Sequence, residues 1–593
     1  MLQHRQLPQL PLELLDAIFE QLSEHAHAES FEADTDMANM YNAKTALARS
    51  ARACRAFHEP ALRVLWRKQR LGRACSAVLS RFDFGSVKWP EQEDETWGGG
   101  TESDDEANDD MAVGIDSCHY PFNYSYLPGP VAAEEWSRFE YYAQFVRVLR
   151  YSTDETIDPS VFFFLQQHAR GKPLFPNLHQ LVWEHATPEL VSVITPSIRV
   201  LHLPQDYAEM ENGSQSYEYG YRMRRHAFKQ LLRGVLERLP DLAELTLPVL
   251  GHEAFWFPLL SRPDNHFVTQ GIHTLHLFES HRALMRAGLA ALSTIRALTE
   301  LDIMLDSRGS YDPANMDDGR NVLLPIGVFA GLKRLQIDGR TVWVRAVFRA
   351  IVAPKLEAVV LACGTWLDSQ DTAAALEENH LCAIFSDLRR RNAVFMQKLH
   401  LTIPHYSGVL FPKGTTPDTH FASLAIPLAE LSHLRDVMIS QPNLDGDHYL
   451  SISVPALVAA WPALQTLALP DLFVTGEALE IISRTCALLE RLTVRTLSWS
   501  RSNVPGISQG IPFRSYALVS DANKSMLEEL RFGEHVHGVS AEAVGDIAYL
   551  LDSLFPQLVP GRCSVTVDIK RDAISFDVMD EVAKLQQARR SGA

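Results

Sequence analysis

The pattern apolar-x-x-apolar-x-apolar recurs along most of this chain and constrains its fold more than any other feature. It reads Leu178/Leu181/Trp183, Ile198/Leu201/Leu203, Leu242/Leu245/Leu247, Ile272/Leu275/Leu277, Leu298/Leu301/Ile303 and Leu332/Leu335/Ile337. It continues as Leu356/Val359/Leu361 and Met396/Leu399/Leu401, and further repeats start at Leu434, Leu464, Leu489 and Leu527. The starts lie 20 to 44 residues apart, so the array is divergent rather than strict. Alternation at the second and third apolar positions is that of a short strand with one buried face. Amphipathic stretches at 224–238 and 372–388 predict helical returns between strands. One such triplet arises by chance. Twelve in order predict stacked repeats that bury one another.

The N-terminal segment follows a different pattern. In Leu10-Pro11-Leu12-Glu13-Leu14-Leu15-Asp16-Ala17-Ile18-Phe19, the residues Leu14, Leu15, Ile18, Phe19 and then Leu22 share one helical face. Pro11 suits the first helical position, where its missing N–H is not needed. A second helical stretch, from about Lys44 to Phe57, carries Leu47, Ala51 and Cys54 as a stripe, and Pro60 is expected to stop it. Leu62, Leu65 and Trp66 follow. Between the helices, residues 23–42 include Glu24, Glu29, Glu32, Asp34 and Asp36 and read as a solvated inserted loop. A module of this size buries little apolar area alone and must lean on a partner or on the rest of the chain.

Leu-Pro-x-Glu-Leu, Cys54-Arg-x-Phe57 and Leu65-Trp66-Arg67, in this order, resemble an F-box. The resemblance implies docking onto a Skp-family adaptor and, through it, a cullin-RING ubiquitin ligase. It also implies that Leu10, Pro11, Leu14, Leu15, Ile18, Cys54, Phe57, Leu65 and Trp66 face the adaptor or form the module core. Family members join the first two helices by a short link, from which residues 23–42 depart. Trp136, Phe139, Tyr142, Val146 and Tyr151 look like the stretch joining F-box to repeats in fungal members. The triplets themselves resemble leucine-rich repeats, and Cys486-Ala-Leu-Leu489-Glu-Arg-Leu492-Thr-Val494 is similar to the cysteine-containing repeats of F-box proteins.

The expected architecture is therefore α/β: a small all-helical F-box, then an irregular leucine-rich-repeat horseshoe, a parallel β-sheet with helical returns. Its expected parts are the F-box module at 7–75, an acidic disordered linker at 76–133, repeats at 134–576, and a C-terminal helix and tail at 577–593. The linker is most acidic at 91–110, where ten of twenty residues are Asp or Glu. Within it, Ser103 precedes Asp104, Asp105 and Glu106 as in acidic-directed kinase sites. In a horseshoe, the residue between the second and third anchors faces the concave side. Together with the preceding exposed position, this yields Glu244, His276, Glu300, Asp302, Gln336, His400 and Arg491 as candidate contacts for an unidentified client protein. Glu244, Glu300 and Asp302 make one part acidic, whereas Arg491, Arg495 and Arg531 make the C-terminal end basic, so a basic client segment is expected toward the acidic part. The plain alternative at each position is a solvated sheet surface.

Other functions find less support. The net charge of −18 argues against general nucleic-acid binding, which needs clustered Lys and Arg. Seven scattered cysteines without Cys-x-x-Cys suit a reducing compartment and offer no zinc framework. The N-terminal apolar stretch is broken by Glu13, Asp16 and Glu20, so no secretory signal is read. No apolar run is long enough to span a membrane, and an intracellular protein is expected. Gly506-Ile507-Ser508-Gln509-Gly510 matches a nucleophile-elbow string, but prolines at 505 and 512 remove the strand and helix it requires. His273 and His276 are three apart, so on a strand they face opposite sides and share no metal. Arg222 to His226 reads as a solvated helix start. No cofactor or metal motif is found and no catalytic residue is proposed. The expected role is a non-catalytic substrate-recognition subunit of an SCF-type ligase, with a repeat scaffold lacking any ubiquitylation role as the alternative.

Overall fold

Within each of the two units, successive strands are stitched together by one backbone carbonyl that accepts both N–H groups leading into the following strand. The carbonyl is the one just before the strand, and its two bonds are 2.7–3.1 Å long. In the first of the two units into which the chain divides, Met1–Pro248, the carbonyls of Arg67, Arg147, His179 and Arg199 do this. In the second, Val249–Ala593, those of His273, Thr299, Lys333, Glu357, Gln397, Arg435, Gln465 and Glu490 do so. The computed structural model describes residues 11–26, 34–87, 122–152, 155–184, 187–203, 225–247, 271–279, 288–305, 326–364, 373–402, 427–440, 458, 460–498, 525–533, 536–539, 541–569 and 575–591.

The first unit opens with α1 (Leu12–Ala26), α2 (Asp34–Ala53) and α3 (Arg55–Trp66). Leu15, Phe19, Leu47, Ala51, Ala61, Leu62 and Val64 form their shared core. β1 (Lys68–Arg70), α4 (Leu71–Ser76), β2 (Asp83–Val87) and β3 (Phe122–Tyr126) follow. Then come α5 (Ala133–Ala143), β4 (Val148–Tyr151), α6 (Pro159–Ala169), β5 (Gln180–Trp183), α7 (Leu190–Val193), β6 (Val200–His202), α8 (Arg225–Leu236) and β7 (Glu244–Leu247). Strands β1, β4, β5, β6 and β7 pair in parallel in that order, and β2 pairs antiparallel with β3. The start of α6 is encoded locally: Asp158 caps Ser160 N–H at 2.8 Å and Pro159 takes the first helical position.

Three expectations for this region are corrected. The described parts of 23–42 are helical, since α1 runs to Ala26 and α2 begins at Asp34. The segment holds no proline or glycine and four alanines, so nothing in it opposes a helix, despite its charge. Pro60 ends no helix. The break falls earlier, at Cys54, whose backbone is extended (φ −156, ψ 162), and Pro60 lies buried inside α3, forgoing one backbone bond. The segment 76–133 is not all linker, because β2, β3 and the buried Val78, Leu79, Phe82, Leu127 and Val131 are folded. The sheet moreover starts at Lys68, directly behind α3, rather than at 134. The acidic stretch 91–110 and Ser103 lie outside the described residues.

The second unit carries β8 (Thr274–Glu279), α9 (Leu289–Leu292), β9 (Glu300–Leu305), β10 (Gly327–Val328), β11 (Arg334–Arg340), α10 (Thr341–Ala350), β12 (Ile351–Val352) and β13 (Ala358–Gly364). It continues with α11 (Ala373–Asn392), β14 (Lys398–Thr402), β15 (Asp436–Ser440), β16 (Thr466–Thr475), α12 (Gly476–Thr485), β17 (Arg491–Ser498) and β18 (Glu529–Phe532). β19 (Val536–Val539), α13 (Ala541–Leu554), β20 (Thr566–Ile569), β21 (Ser575–Asp577) and α14 (Val578–Ser591) complete it. The strands β8, β9, β11, β13, β14, β15, β16, β17 and β18 form one parallel sheet. Parallel strands returning through helices are the leucine-rich-repeat arrangement, and the chain is an α/β repeat scaffold.

All twelve predicted repeat starts are buried to within 2 %. Each buried Leu or Ile side chain contributes on the order of 2 kcal/mol, so the anchors are a major stabilising term. Buried polar side chains join successive repeats: Asn392 donates to Ala353 O at 2.7 Å and Trp461 Nε1 to Leu428 O at 3.0 Å. Cys486 Sγ reaches Val458 O at 3.7 Å, and burial pushes its thiol up to about 11, so this cysteine serves the repeat interior. A thirteenth triplet, Val146/Leu149/Tyr151, is equally buried. It lies within the stretch whose likeness to the F-box-to-repeat junction gave it a joining role in the sequence.

Candidate functional site

Two surfaces carry the predicted contacts. On the helical module, the nine predicted residues divide by direction. Leu10 lies outside the described residues. Pro11 stands just ahead of α1 rather than within it, its carbonyl accepting from Leu14 N at 3.1 Å and Leu15 N at 3.2 Å. Leu15 is buried in the core, whereas Leu14 and Ile18 are each 52 % exposed. A helix places residues 14 and 18 within about 40° of one another, so Leu14 and Ile18 form one outward apolar strip, with the exposed Pro11 just ahead of the helix. Cys54 is exposed at the α2–α3 break.

The other three hold the module together. Phe57 meets Phe19 edge to face at 5.8 Å, Leu65 packs against the core, and Trp66 stacks on Tyr142 of α5 at 4.5 Å. Trp66 thus ties the helices to the first repeats. Tyr41, 72 % exposed on α2, was missed because it fell in the expected loop. The signal for it was the breaker-free run between Asp34 and Ala53. Beside the module, a cleft of about 520 Å³ is lined by Asp16, Glu20, Glu59, Arg63, Arg67 and Arg147 among others. Arg63 pairs there with Asp16 (3.6 Å) and Glu59 (2.6 Å), and Arg67 with Glu20.

The second surface is the solvent side of the sheet. Strand alternation puts the predicted residues there, each intermediate or exposed between buried anchors. Glu244 belongs to the first unit and lies 3.5 Å from His202. The remaining six belong to the second. His276 Nδ1 is 3.1 Å from Asp302 Oδ2, and Glu300 is 3.5 Å from Arg334, which also approaches Gln336 Oε1 at 3.4 Å. His400 Nε2 is 3.3 Å from Asp436 Oδ1, with Lys398 Nζ 2.7 Å from Oδ2. The His400 hydrogen bond and then Lys398 pull the Asp436 carboxyl down to about 2.

The face is therefore not an acidic field beside a basic one. Most of its charges are matched across neighbouring strands, and even Arg531 at the C-terminal end pairs with Glu529 at 2.6 Å. Sequence reasoning listed these positions one repeat at a time. For His276–Asp302, Glu300–Arg334 and Lys398–Asp436 the partner sits on the adjacent strand at the same register, which only the pairing reveals. It also missed Asp338, which stands two positions beyond Gln336 on β11. Burial, then the nearby Asp302, push the Asp338 carboxyl above its ordinary value.

Among the described residues, no group of three or more His, Cys, Asp or Glu could hold a metal ion. No helix among them is long and apolar enough to cross a membrane. His273 and His276 diverge as expected, His273 Nδ1 lying 3.1 Å from Ala297 O. Ser508 and its flanking glycines lie outside the described residues.

No family model and no curated protein matches the chain. Among solved structures, it is similar to the crystal structure of a TLR13–ssRNA13 complex, at 12 % identity and a TM-score of 0.30. That match covers 75 % of this chain and 57 % of the other, so the chain spans little more than half the length of the protein it matches.

Proposed function

We propose that the protein is the client-recognition subunit of an SCF-type ubiquitin ligase, gripping a Skp-family adaptor with its helical module and a client protein with its sheet face. The observation that carries this reading is the strip of Leu14 and Ile18, where two large aliphatic side chains are held in water on a helix whose neighbouring face is fully used in the core. Burying each such side chain is worth about 1–2 kcal/mol, enough in sum to favour an apolar partner helix. The chain then acts by proximity: adaptor at one end, client on the repeats, and a raised effective concentration of client near the charged ubiquitin carrier. The chemistry belongs to other subunits.

Co-purification with a Skp-type adaptor tests it, comparing wild type with Leu14→Asp and Ile18→Asp. Both positions are exposed, so the variants keep the fold, while a charge on the strip is not tolerated at an apolar interface. Wild type should retain the adaptor and both variants should lose at least about tenfold in affinity. Equal retention by all three, or none by a well-folded wild type, ends the adaptor reading. Cullin absent from an otherwise intact adaptor complex would reduce the role to a scaffold.

A further inference from the structure

Strand register lines up Phe278, Met304, Asp338, Ala362 and Thr402 as one row across β8, β9, β11, β13 and β14. Asp338 is the one charge in that row, set between Met304, 44 % exposed, and the small Ala362. On the neighbouring row, Gln336 stands between Asp302 and Val360. Four other carboxylates of this face have basic partners: Glu300 has Arg334, Asp302 has His276, Asp436 has Lys398 and His400, and Glu529 has Arg531. No ion pair to Asp338 is formed among the described residues, Arg340 of the same strand included. Burial, then Asp302, disfavour its ionised form and outweigh the Gly339 N–H hydrogen bond that favours it. Within the fold this carboxyl accepts that hydrogen bond from Gly339 but meets no cation among the described residues, where an apolar residue would otherwise continue the row. Its position is nevertheless fixed, because Gly339 takes φ +151 against Leu305 and sets the backbone course at Asp338.

We propose that Asp338, within this apolar row, is the anchoring point for the client on the second unit, taking one Lys or Arg side chain that a protein segment carries among apolar neighbours. The proposal rests on the client-recognition reading and names the class of segment recognised. A basic side chain supplies what the row lacks: an aliphatic stem to lie on Met304 and Ala362, and a cation to pair with a carboxyl already partly removed from water. The same desolvation that makes the lone carboxyl unfavourable makes the completed pair specific, because a neutral residue leaves it unpaired.

The test is selection of random heptapeptides displayed on phage against the full chain, wild type and Asp338→Asn, followed by fluorescence anisotropy of one enriched peptide and its Lys→Gln counterpart. Wild type should enrich a single Lys or Arg flanked by Leu, Val, Met or Phe. Asp338→Asn and the Lys→Gln peptide should each weaken binding about tenfold, and no more when combined. Peptides without a cation, equal binding to Asp338→Asn, or no enrichment would each overturn the proposal. Removal of a disfavoured charge should leave Asp338→Asn at least as thermally stable as wild type, which separates lost recognition from lost folding. The same variant should still bind adaptor. A chain that binds no adaptor yet shows the Asp338-dependent selection loses the ligase reading and keeps this one, whereas adaptor binding without that selection removes this one alone.

Discussion

At Gly339 a Cβ would lie 2.7 Å from the Cβ of Leu305, on a backbone with φ +151 that side chains rarely adopt. Both penalties act together, so Gly339→Ala should cost about 2–4 kcal/mol, read as a lower denaturant midpoint. Asp436 makes the opposite case, a residue that adds stability through its partners. Its carboxyl titrates at about 2 in the fold, below its ordinary 3.8. A depressed acid stabilises above its unfolded value and loses that contribution as pH falls toward the folded one. Allowing for its partial exposure, Asp436→Asn should cost about 1 kcal/mol at pH 7, and the difference from wild type should shrink between pH 4 and pH 2 in urea titrations.

At the scale of elements, stability depends on what each return hands to its neighbour. Trp461 fills its repeat and also gives its Nε1–H to the carbonyl of Leu428. Trp461→Phe keeps most of the ring but leaves that carbonyl without its donor, so about 1–3 kcal/mol should be lost on thermal unfolding. The strands were legible in the sequence because Leu, Ile and Val at fixed spacing leave few other ways to bury themselves. The first half of α2 was not, because charge in 23–42 was weighed above the absence of any breaker. Pro60 misled in the other direction, since a buried ring can hold a proline inside α3. On the module, periodicity grouped Leu14, Leu15, Ile18 and Phe19 on one face. Packing then split that face, burying Leu15 and Phe19 and leaving Leu14 and Ile18 outside, and no pattern of apolar letters encodes such a division. Asp338 escaped because it lies beyond the triplet that guided the reading.

For the whole chain, the final strand of a parallel sheet presents unpaired backbone groups that invite aggregation. Here β18 is covered: Ser564 N donates to Leu530 O at 3.0 Å, Phe532 N to Ser564 O at 2.8 Å, and Val559 N to Glu528 O at 2.9 Å. The covering segment is itself held by α14, where Gln586 donates to Leu558 O at 2.9 Å and Arg589 pairs with Asp552 of α13. Deleting residues 578–593 uncovers the apolar partners of Val578, Met579 and Val582. The truncated chain should show a lower Tm and concentration-dependent aggregation by light scattering, while the full chain stays monodisperse. The doubly bonded carbonyl at the foot of each strand has a consequence of another kind. It fixes the pitch at which recognition positions are offered, about 4.8 Å from strand to strand, whatever the length of the return between them. A helix laid across the strands advances about 5.4 Å per turn and keeps step with that comb for three or four teeth, while an extended segment, at nearly 7 Å per like-facing residue, falls out of step at once.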